Sequence, residues 1–362
     1  MPVAEFDFAV IGAGMAGASL VAELGGGQRV LLAEAEDRPG YHATGRSAAF
    51  WTESYGGPGV QPLTTASGAY LRDNGFLSPR GALTIARRAD EAALDRFARS
   101  FAALGVRVER LGRAALESRI PGLNADWTAG AFEPDCCDID VAGLHQHYLA
   151  RAAANGVETW TRARLDNAER WSGGWALRFA DGREARCGVL VNAAGAWADP
   201  VARCAGVSPL GIAPFRRTVA QVRTAPEPPG DLPLVLDLRE QFYFKPESGR
   251  LWLSPHDETP SAPCDAAPEE IDVALAIDRF QAAVDWRVER VEHKWAGLRS
   301  FAPDRLPVYG FDAAEPAFFW FAGQGGFGIQ TAPAAAALAA GLLLGKNGGL
   351  VDSTPYSPAR FS

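Results

Sequence analysis

Residues 5–36 read EFDFAVIGAGMAGASLVAELGGGQRVLLAEAE, and the reading of the glycines in their middle decides the fold. Phe6 to Ile11 carry the apolar, β-branched bias of a buried parallel strand. Gly12 to Gly17 interrupt it, and Ala18 to Leu24 continue with helix formers. RVLLAEAE, residues 29–36, then reads as a second strand ending in acids. Together these make one βαβ unit of about 30 residues. Gly12, Gly14 and Gly17 form G-x-G-x-x-G, with Met15 and Ala16 inside the turn. Gly12 permits the tight turn, Gly14 lets backbone approach a pyrophosphate, and Gly17 lets the helix pack close to the sheet. The helix N-terminus offers N–H groups and the positive end of its dipole to phosphate. Glu34, followed by Ala35, closes the second strand where a carboxylate can accept from both ribose hydroxyls. An acid there disfavours a 2′-phosphate, so NAD or FAD is expected rather than NADP.

The rest of the composition bounds the answer. A chain of 362 residues holds two domains or one large composite domain. Its net charge is −8 with scattered arginines, so no basic stripe points to nucleic acid. Five cysteines, an odd number in a long chain, fit a reducing compartment better than a disulfide scaffold. Strand-like residues begin almost at once, which argues against a cleaved secretion signal. The most apolar late stretch, APAAAALAAGLLLG at 332–345, is too short and alanine-rich for a membrane span. A cytoplasmic protein without an integral membrane segment is expected, with peripheral contact at the inner membrane left open.

Beyond Glu36 a loop region is expected to about Ser78. ALTIA (82–86) is a strand candidate, and residues 90–105 have helical spacing with Asp90 as N-cap. Residues 138–156 form another capped helix, stopped by Gly156. GVLVNAAGAWAD (188–199) is a buried strand running into a small-residue turn. Between Pro214 and Pro255 the pattern turns to β, with RRTVAQV, LPLVLDL and QFYFKPESGRLWLSP separated by turn residues. A helix follows at 267–284, then a strand, a glycine turn and a helix at 318–345. The expected class is α/β, α+β overall. A Rossmann-type nucleotide domain is assembled from 1–80, 140–208 and 296–362. A substrate domain with a large antiparallel sheet takes 81–139 and 209–295.

Three elements separate FAD from NAD. GRSAA (45–49) follows the acid within a dozen residues, VNAAGAWA ends a strand in mid-chain, and GQGGFGIQT (323–331) opens the last helix. A single NAD site does not need all three, whereas an extended FAD does. The last helix has a physical reason to point at the flavin. Its positive N-terminus stabilises negative charge that builds at the ring on reduction.

VIGAGMAGAS, GRSAA, VNAAGAWAD, WAGLRSFAPDRLPVYG and GQGGFGIQTAPA together resemble the D-amino-acid oxidase/glycine oxidase superfamily of FAD enzymes. Within it the chain is most similar to the bacterial D-arginine dehydrogenases. The resemblance runs over nearly the whole chain in the same motif order. It implies noncovalent FAD and oxidation of an amine alpha to a carboxylate, by hydride transfer to flavin N5. It places Gly45, Ser47 and Ala48 along the cofactor with Arg46 nearby. Ala163, Ala194, Gly195, Trp197, Gly325, Phe327, Gly328, Ile329 and Thr331 are further implied cofactor contacts. Thr52 and Tyr55 are implied on the substrate side of the ring, Arg217 and Arg299 as carboxylate ligands, and Tyr243 over the substrate. Gly326 and Gln330 match residues beside the flavin and the substrate amine. The chemistry agrees independently, since a planar guanidinium holds a carboxylate bidentately and so fixes the alpha carbon. Arg216 is the adjacent competitor for the role of Arg217.

Departures from the arginine-specific relatives bear on the substrate. Ala82 stands where they place a carboxylate for a cationic side chain, and Phe50 where they have a histidine. Leu234 and Leu236 would line the same pocket. An unpaired cation there would cost several kcal/mol, while apolar burial gains about 25 cal/mol per Å². The expected product of the reaction is an imino acid, and the expected substrate a neutral, hydrophobic D-amino acid. A secondary amine or a 2-hydroxy acid is the alternative, and a non-catalytic flavoprotein the third reading. The electron acceptor, oxygen, quinone or other, is left open. Cys136-Cys137 read as two buried thiols, because no partners stand at metal-ligand spacing. His145 and His147, two apart on a helix, do not share a face. His42 sits near the flavin loop with a role or none.

Overall fold

The computed structural model describes residues 3–48, 50–346 and 349–361. Strand Ala4–Ile11 pairs in parallel with Val30–Ala33 on one side and Glu184–Asn192 on the other. Glu158–Trp160 extends this sheet in parallel beyond Val30–Ala33, and Phe318–Ala322 runs parallel to the end of Glu184–Asn192. Apolar residues without alternation suit strands covered on both faces. Helix Met15–Leu24 packs against helices Val141–Ala154 and Ala332–Leu343, whose alanines permit close approach. One face of the sheet buries Phe8, Val10, Leu32 and Phe319 with Ala335 and Ala339 of the last helix. The glycine turn and the segments that follow Ala33, Trp160, Asn192 and Ala322 leave the carboxyl ends of the parallel strands, where such sheets bind ligands.

The second sheet has ten strands. It is antiparallel except where Leu234–Asp237 runs parallel to Ala82–Arg87. Its two faces differ. Leu83, Ile85, Ala220, Val222, Val235, Phe244, Leu251 and Leu253 pack against Val273, Ala276, Phe280 and Ala283 of helix Glu270–Ala283. The opposite face, by strand alternation, carries Ala82, Leu234, Leu236, Tyr243, Arg217 and Arg299. A small three-stranded sheet ties Phe50–Trp51 to Cys137–Ile139 and Leu77–Pro79.

Two expectations are corrected. The segment before Ser78 holds a helix, Gln61–Asp73, not only loop. Its sequence is polar and carries Ser67 and Gly68, so periodicity hides it. Tertiary packing forms it: a Cβ on Gly68 would lie 2.7 Å from the Trp51 ring, and Ser67 Oγ accepts from Ala334 N at 3.1 Å. Asp90 precedes the helix Glu91–Ala102 but caps nothing with its side chain, which accepts from Arg239 at 2.6 Å instead. Strand Arg287–Phe301 runs unbroken through position 296. Residues 165–179 form a hairpin of Leu165–Trp171 with Gly174–Phe179. No helix among the described residues is long and apolar enough to cross a membrane.

Candidate active site

A cavity of about 410 Å³ lies between the two sheets. Gly12, Gly14, Met15, Ala16, Glu34 and Ala35 line it, and so do Arg46, Ser47, Ala163, Ala194, Gly195 and Trp197. Arg299, Gly325, Gly326, Gly328 and Ile329 complete the lining from the sheet domain and the last glycine turn. Gly12 adopts φ +103°, and a Cβ there would lie 2.6 Å from Ala193 O. A Cβ on Gly17 would meet Gly12 O at 1.9 Å. Gly17 thus packs the helix onto the turn and does not line the cavity. Glu34 is held in place, its Oε2 accepting from Ala13 N at 2.8 Å and its Oε1 from Glu36 N at 3.0 Å. Thr44 Oγ1 accepts from Met15 N at 2.9 Å at the helix N-terminus. His42 pairs with Glu36 at 2.8 Å, and its ring lies 4.7 Å from that of Trp197.

Other implied cofactor contacts sit differently. The Arg46 guanidinium turns to the sheet domain, donating to Ala266 O at 2.7 Å and Ala296 O at 3.2 Å and pairing with Asp265. Gly45 packs against Gly40, its N–H donating to Gly40 O at 2.9 Å. The Phe327 ring is buried beside Phe301 and Val60, and the Thr331 hydroxyl donates to Phe327 O at 2.8 Å. Ala48 faces the substrate side of the cavity. Ala49, the last letter of GRSAA, lies outside the described residues.

The substrate end is built on two neighbouring strands. Phe215 pairs with Arg299 and Arg217 with Gly297, so the two arginines stand diagonally on one face. Arg217 is only 3 % exposed. Its Nε donates to Asp257 O at 2.7 Å and its Nη2 to Glu258 Oε1 at 3.2 Å. Nη1 of Arg217, Nη1 of Arg299 and Oη of Tyr243 are buried without a hydrogen-bond partner among the described residues. Orphaned donors of this kind are costly unless a ligand satisfies them. Burial, then the Arg299 charge, lowers the pKa of Arg217. Burial also works against the Arg299 charge, but Tyr55, Tyr243 and Asp257 outweigh it and raise its pKa. Arg216, the competitor, points elsewhere and pairs with Glu269 and Asp272. Tyr55 stands edge-on to Phe50, with ring centroids 5.4 Å apart. Gly326 completes the corner, since a Cβ there would lie 2.5 Å from Tyr55 Oη and 2.8 Å from Arg299 Nε.

Phe50, Ala82, Leu234 and Tyr243 form one apolar cluster with Ala48 and Cys136, flanked by Tyr55, Leu236 and Trp252. Two implied substrate contacts are bonded within the loop, although Gln330 also lines a small pocket with Phe50, Tyr55, Arg299 and Gly326. Thr52 Oγ1 donates to buried Glu133 at 2.7 Å, and Thr52 N donates to Gln330 Oε1 at 3.3 Å. Gln330 Nε2 donates to Tyr55 O at 3.1 Å and Thr64 Oγ1 at 2.9 Å. The Gln330 amide therefore braces the loop and has no donor left for an amine.

Sequence reasoning missed two residues. Glu133 accepts from Thr52 Oγ1, from Glu53 N at 2.6 Å and from Ser54 N at 3.3 Å, and burial raises its pKa. Its only sequence signal is a lone acid ending an apolar strand. His256 lies edge-on to Tyr243, with ring centroids 5.8 Å apart. Burial, then the charges of Arg217 and Arg299, push its pKa down to about 2. Its Nδ1 is 2.6 Å from Glu240 O; a carbonyl only accepts, so Nδ1 carries the hydrogen and Nε2 the lone pair. Nothing around His256 in the sequence marks it. Of the paired thiols, Cys136 is buried, which pushes its pKa well up, but Cys137 is only half-buried.

Comparison with known proteins bears on the family and the fold. The family model described as DAO, FAD dependent oxidoreductase, matches residues 7–342. The chain is 21% identical over 428 residues to FAD-dependent oxidoreductase domain-containing protein 1 of Bos taurus, covering 100% of this chain and 86% of that protein. It is 28% identical over 224 residues to L-2-hydroxyglutarate dehydrogenase of Salmonella houtenae, covering 58% of this chain and 53% of that one. The chain thus spans about half the length of that relative. The crystal structure of glycine oxidase from Geobacillus kaustophilus has the same fold, with TM-score 0.86, 24% identity and 99% of each chain covered.

Proposed function

We propose, for a chain that belongs to the DAO family of FAD-dependent oxidoreductases, that the substrate is a neutral α-amino acid with an apolar side chain, oxidised to its imino acid. The D enantiomer follows from the resemblance to D-amino-acid enzymes. One observation carries the reading: three orphaned buried polar atoms, Arg217 Nη1, Arg299 Nη1 and Tyr243 Oη, stand beside an apolar wall. Bound FAD supplies the two-electron acceptor for oxidation at the alpha carbon. The residues fit it: the glycine turn leaves no side chain to fill the cavity at Gly12 and Gly14, and Glu34 is fixed where a ribose carboxylate is needed.

The chain's own residues position the substrate. The two arginines and Tyr243 hold the carboxylate, and charge-assisted bonds of this kind are the strong ones. Fixing that end directs the side chain to Phe50, Ala82, Leu234 and Leu236. A cationic side chain would lack a partner there. Glu133, the nearest buried acid, already accepts from one hydroxyl and two backbone N–H groups. Those bonds turn the Glu133 carboxylate toward residues 52–54, and His256 is too weakly basic to hold a proton near neutrality. The amine proton is accordingly lost to water before oxidation.

An anaerobic mixing experiment tests the proposal. Both enantiomers of Leu, Met and Phe are mixed with the holoenzyme beside Arg, Lys, sarcosine and lactate, and flavin bleaching is followed in the visible. D-Leu, D-Met or D-Phe should bleach it fastest. Preference for the basic pair sinks the neutral pocket. Lactate or sarcosine alone would favour the second reading, a 2-hydroxy acid or secondary amine, which the similarity to L-2-hydroxyglutarate dehydrogenase supports. Silence across the panel leaves a flavoprotein without this chemistry.

A further inference from the structure

Glu258 touches one of the carboxylate-binding arginines and is itself a carboxylate. Its Oε1 lies 3.2 Å from Arg217 Nη2. On its other side Arg305 Nη2 donates to Glu258 Oε1 at 2.7 Å and to Oε2 at 3.0 Å. Arg217 is buried, Glu258 is 33% exposed at the side chain and Arg305 51%, so the chain of charges runs outward from the site. The nearer and doubly made contact belongs to Arg305. Arg305 is also built into place. It adopts φ +67°, its N–H donates to Ala302 O at 2.9 Å, and its guanidinium lies 3.9 Å over the Phe301 ring. The preceding Asp304 is tied down by Arg360 at 2.6 Å. Asp257, the other acid near Arg217, accepts from Thr218 N at 2.7 Å and Thr218 Oγ1 at 3.0 Å and stands farther off, its Oδ1 4.0 Å from Arg217 Nε.

We propose that Arg305 is a positioning residue that sets the site's affinity for carboxylates by drawing Glu258 off Arg217. The inference rests on Arg217 being a carboxylate ligand, as the proposed function has it. A carboxylate free to pair fully with Arg217 competes with the carboxylate of the substrate. Shared with Arg305, Glu258 orients the Arg217 fork without neutralising it. Among the described residues no carboxylate forms an ion pair with Arg299, whose Nη1 has no partner.

The test titrates the flavin-loaded enzyme with acetate, followed by the visible flavin spectrum, beside steady-state kinetics. Arg305→Asn suits the left-handed backbone and cannot reach Glu258. It should raise the acetate Kd and the amino-acid KM about five-fold, with kcat unchanged, the scale of a partly exposed ion pair. Arg305→Lys should recover part of the loss. Glu258→Gln keeps an oxygen for Arg217 Nη2 without the charge, and should lower both constants. In the Arg305→Asn/Glu258→Gln double variant the effect of Arg305 should vanish. An unchanged Kd in Arg305→Asn overturns the proposal, as does a double variant that still shows the five-fold rise. Wild-type enzyme that gives no acetate response overturns the carboxylate reading of Arg217 and this proposal with it. A normal wild-type response with an inert Arg305 overturns this proposal alone.

Discussion

Gly326→Ala puts one methyl group where the site has no room for it. The Gly326 backbone lies outside the left-handed region, so alanine is tolerated by φ and the perturbation is purely local. The added Cβ would stand 2.5 Å from Tyr55 Oη, 2.8 Å from Arg299 Nε and 3.0 Å from Arg299 Cδ, where ordinary contact begins near 3.4 Å. Tyr55 must retreat by about 0.9 Å and the Arg299 stem by about 0.6 Å to make room. A misplacement near 1 Å at a group that orients the reacting carbon costs roughly 100-fold in rate, or about 2.7 kcal/mol. The loss should appear in kcat/KM for the best amino acid. It should come with weaker binding of acetate, because on the proposed function Arg299 holds part of the carboxylate. Flavin content from the visible-to-protein absorbance ratio must be measured alongside, since Gly326 also lines the cofactor cavity. Gly230→Ala is the control; a Cβ there meets nothing within 4 Å. A Gly326→Ala enzyme with full flavin and kcat/KM within two-fold of wild type would refute the placement of Arg299 and Tyr55 against the substrate.

Gly17→Ala should abolish stable flavin binding, because its Cβ would lie 1.9 Å from a backbone oxygen that can retreat only by opening the turn; purification with full yellow colour would contradict this. His256 gives a pH signature. Its pKa of about 2 lies below the ordinary value of about 6.5, so the unfolded chain binds the proton first. The neutral ring's contribution is therefore intact above pH 6.5 and lost as pH falls toward 2, amounting to about 1–2 kcal/mol at pH 5 after screening. His256→Asn should flatten the acid side of the Tm–pH profile, and parallel profiles for the two proteins would count against it. Phe50→His with Ala82→Glu should raise kcat/KM for D-Arg at least about ten-fold. It should also lower Tm by several degrees, because Ala82 pairs in register with buried Glu133. Adding Glu133→Gln should recover part of that Tm, and no change in side-chain preference would mean the pocket lies elsewhere.

The parts of the fold legible in the sequence are those whose signal is local. Strand Ala4–Ile11, helix Met15–Leu24 and strand Val30–Ala33 follow from an apolar run, three glycines and an acid, all within one βαβ unit. Helix Val141–Ala154 follows from a cap, with Asp140 Oδ1 accepting from Gly143 N at 2.9 Å. Helix Gln61–Asp73 was hidden because its stability is tertiary; Leu63, Ser67 and Leu71 are buried, but their neighbours are polar. The same division runs through the site. Arg217, Tyr243 and Arg299 stand in strands whose register brings them together, and their motifs were visible. Glu133 and His256 act through contacts to residues 53 and 240, which no local pattern encodes.

What those non-local contacts hold is the segment 40–56. In its first half Thr44 Oγ1 accepts from Met15 N and Ser47 lines the cavity, while Arg46 anchors it to the sheet domain at Ala266 and Ala296. Phe50 pairs with Asp138, which in turn takes Lys245 at 2.6 Å from the large sheet. Glu133 grips residues 52–54, and Gln330, beside the last helix, bonds Thr52 N and Tyr55 O. The segment is therefore fixed by four parts of the chain, none adjacent to it in sequence. Loops with so many buried polar contacts are not free to adapt, since each broken bond leaves an unsatisfied buried group. On the proposed function, side-chain preference is then set at the wall behind Phe50, by Ala82 and Leu234, rather than by motion of the loop itself. A series of substitutions at 82 and 234 should shift side-chain preference with kcat/KM for the smallest substrate nearly constant. Substitutions of Glu133 or Gln330 should lower activity toward every substrate alike.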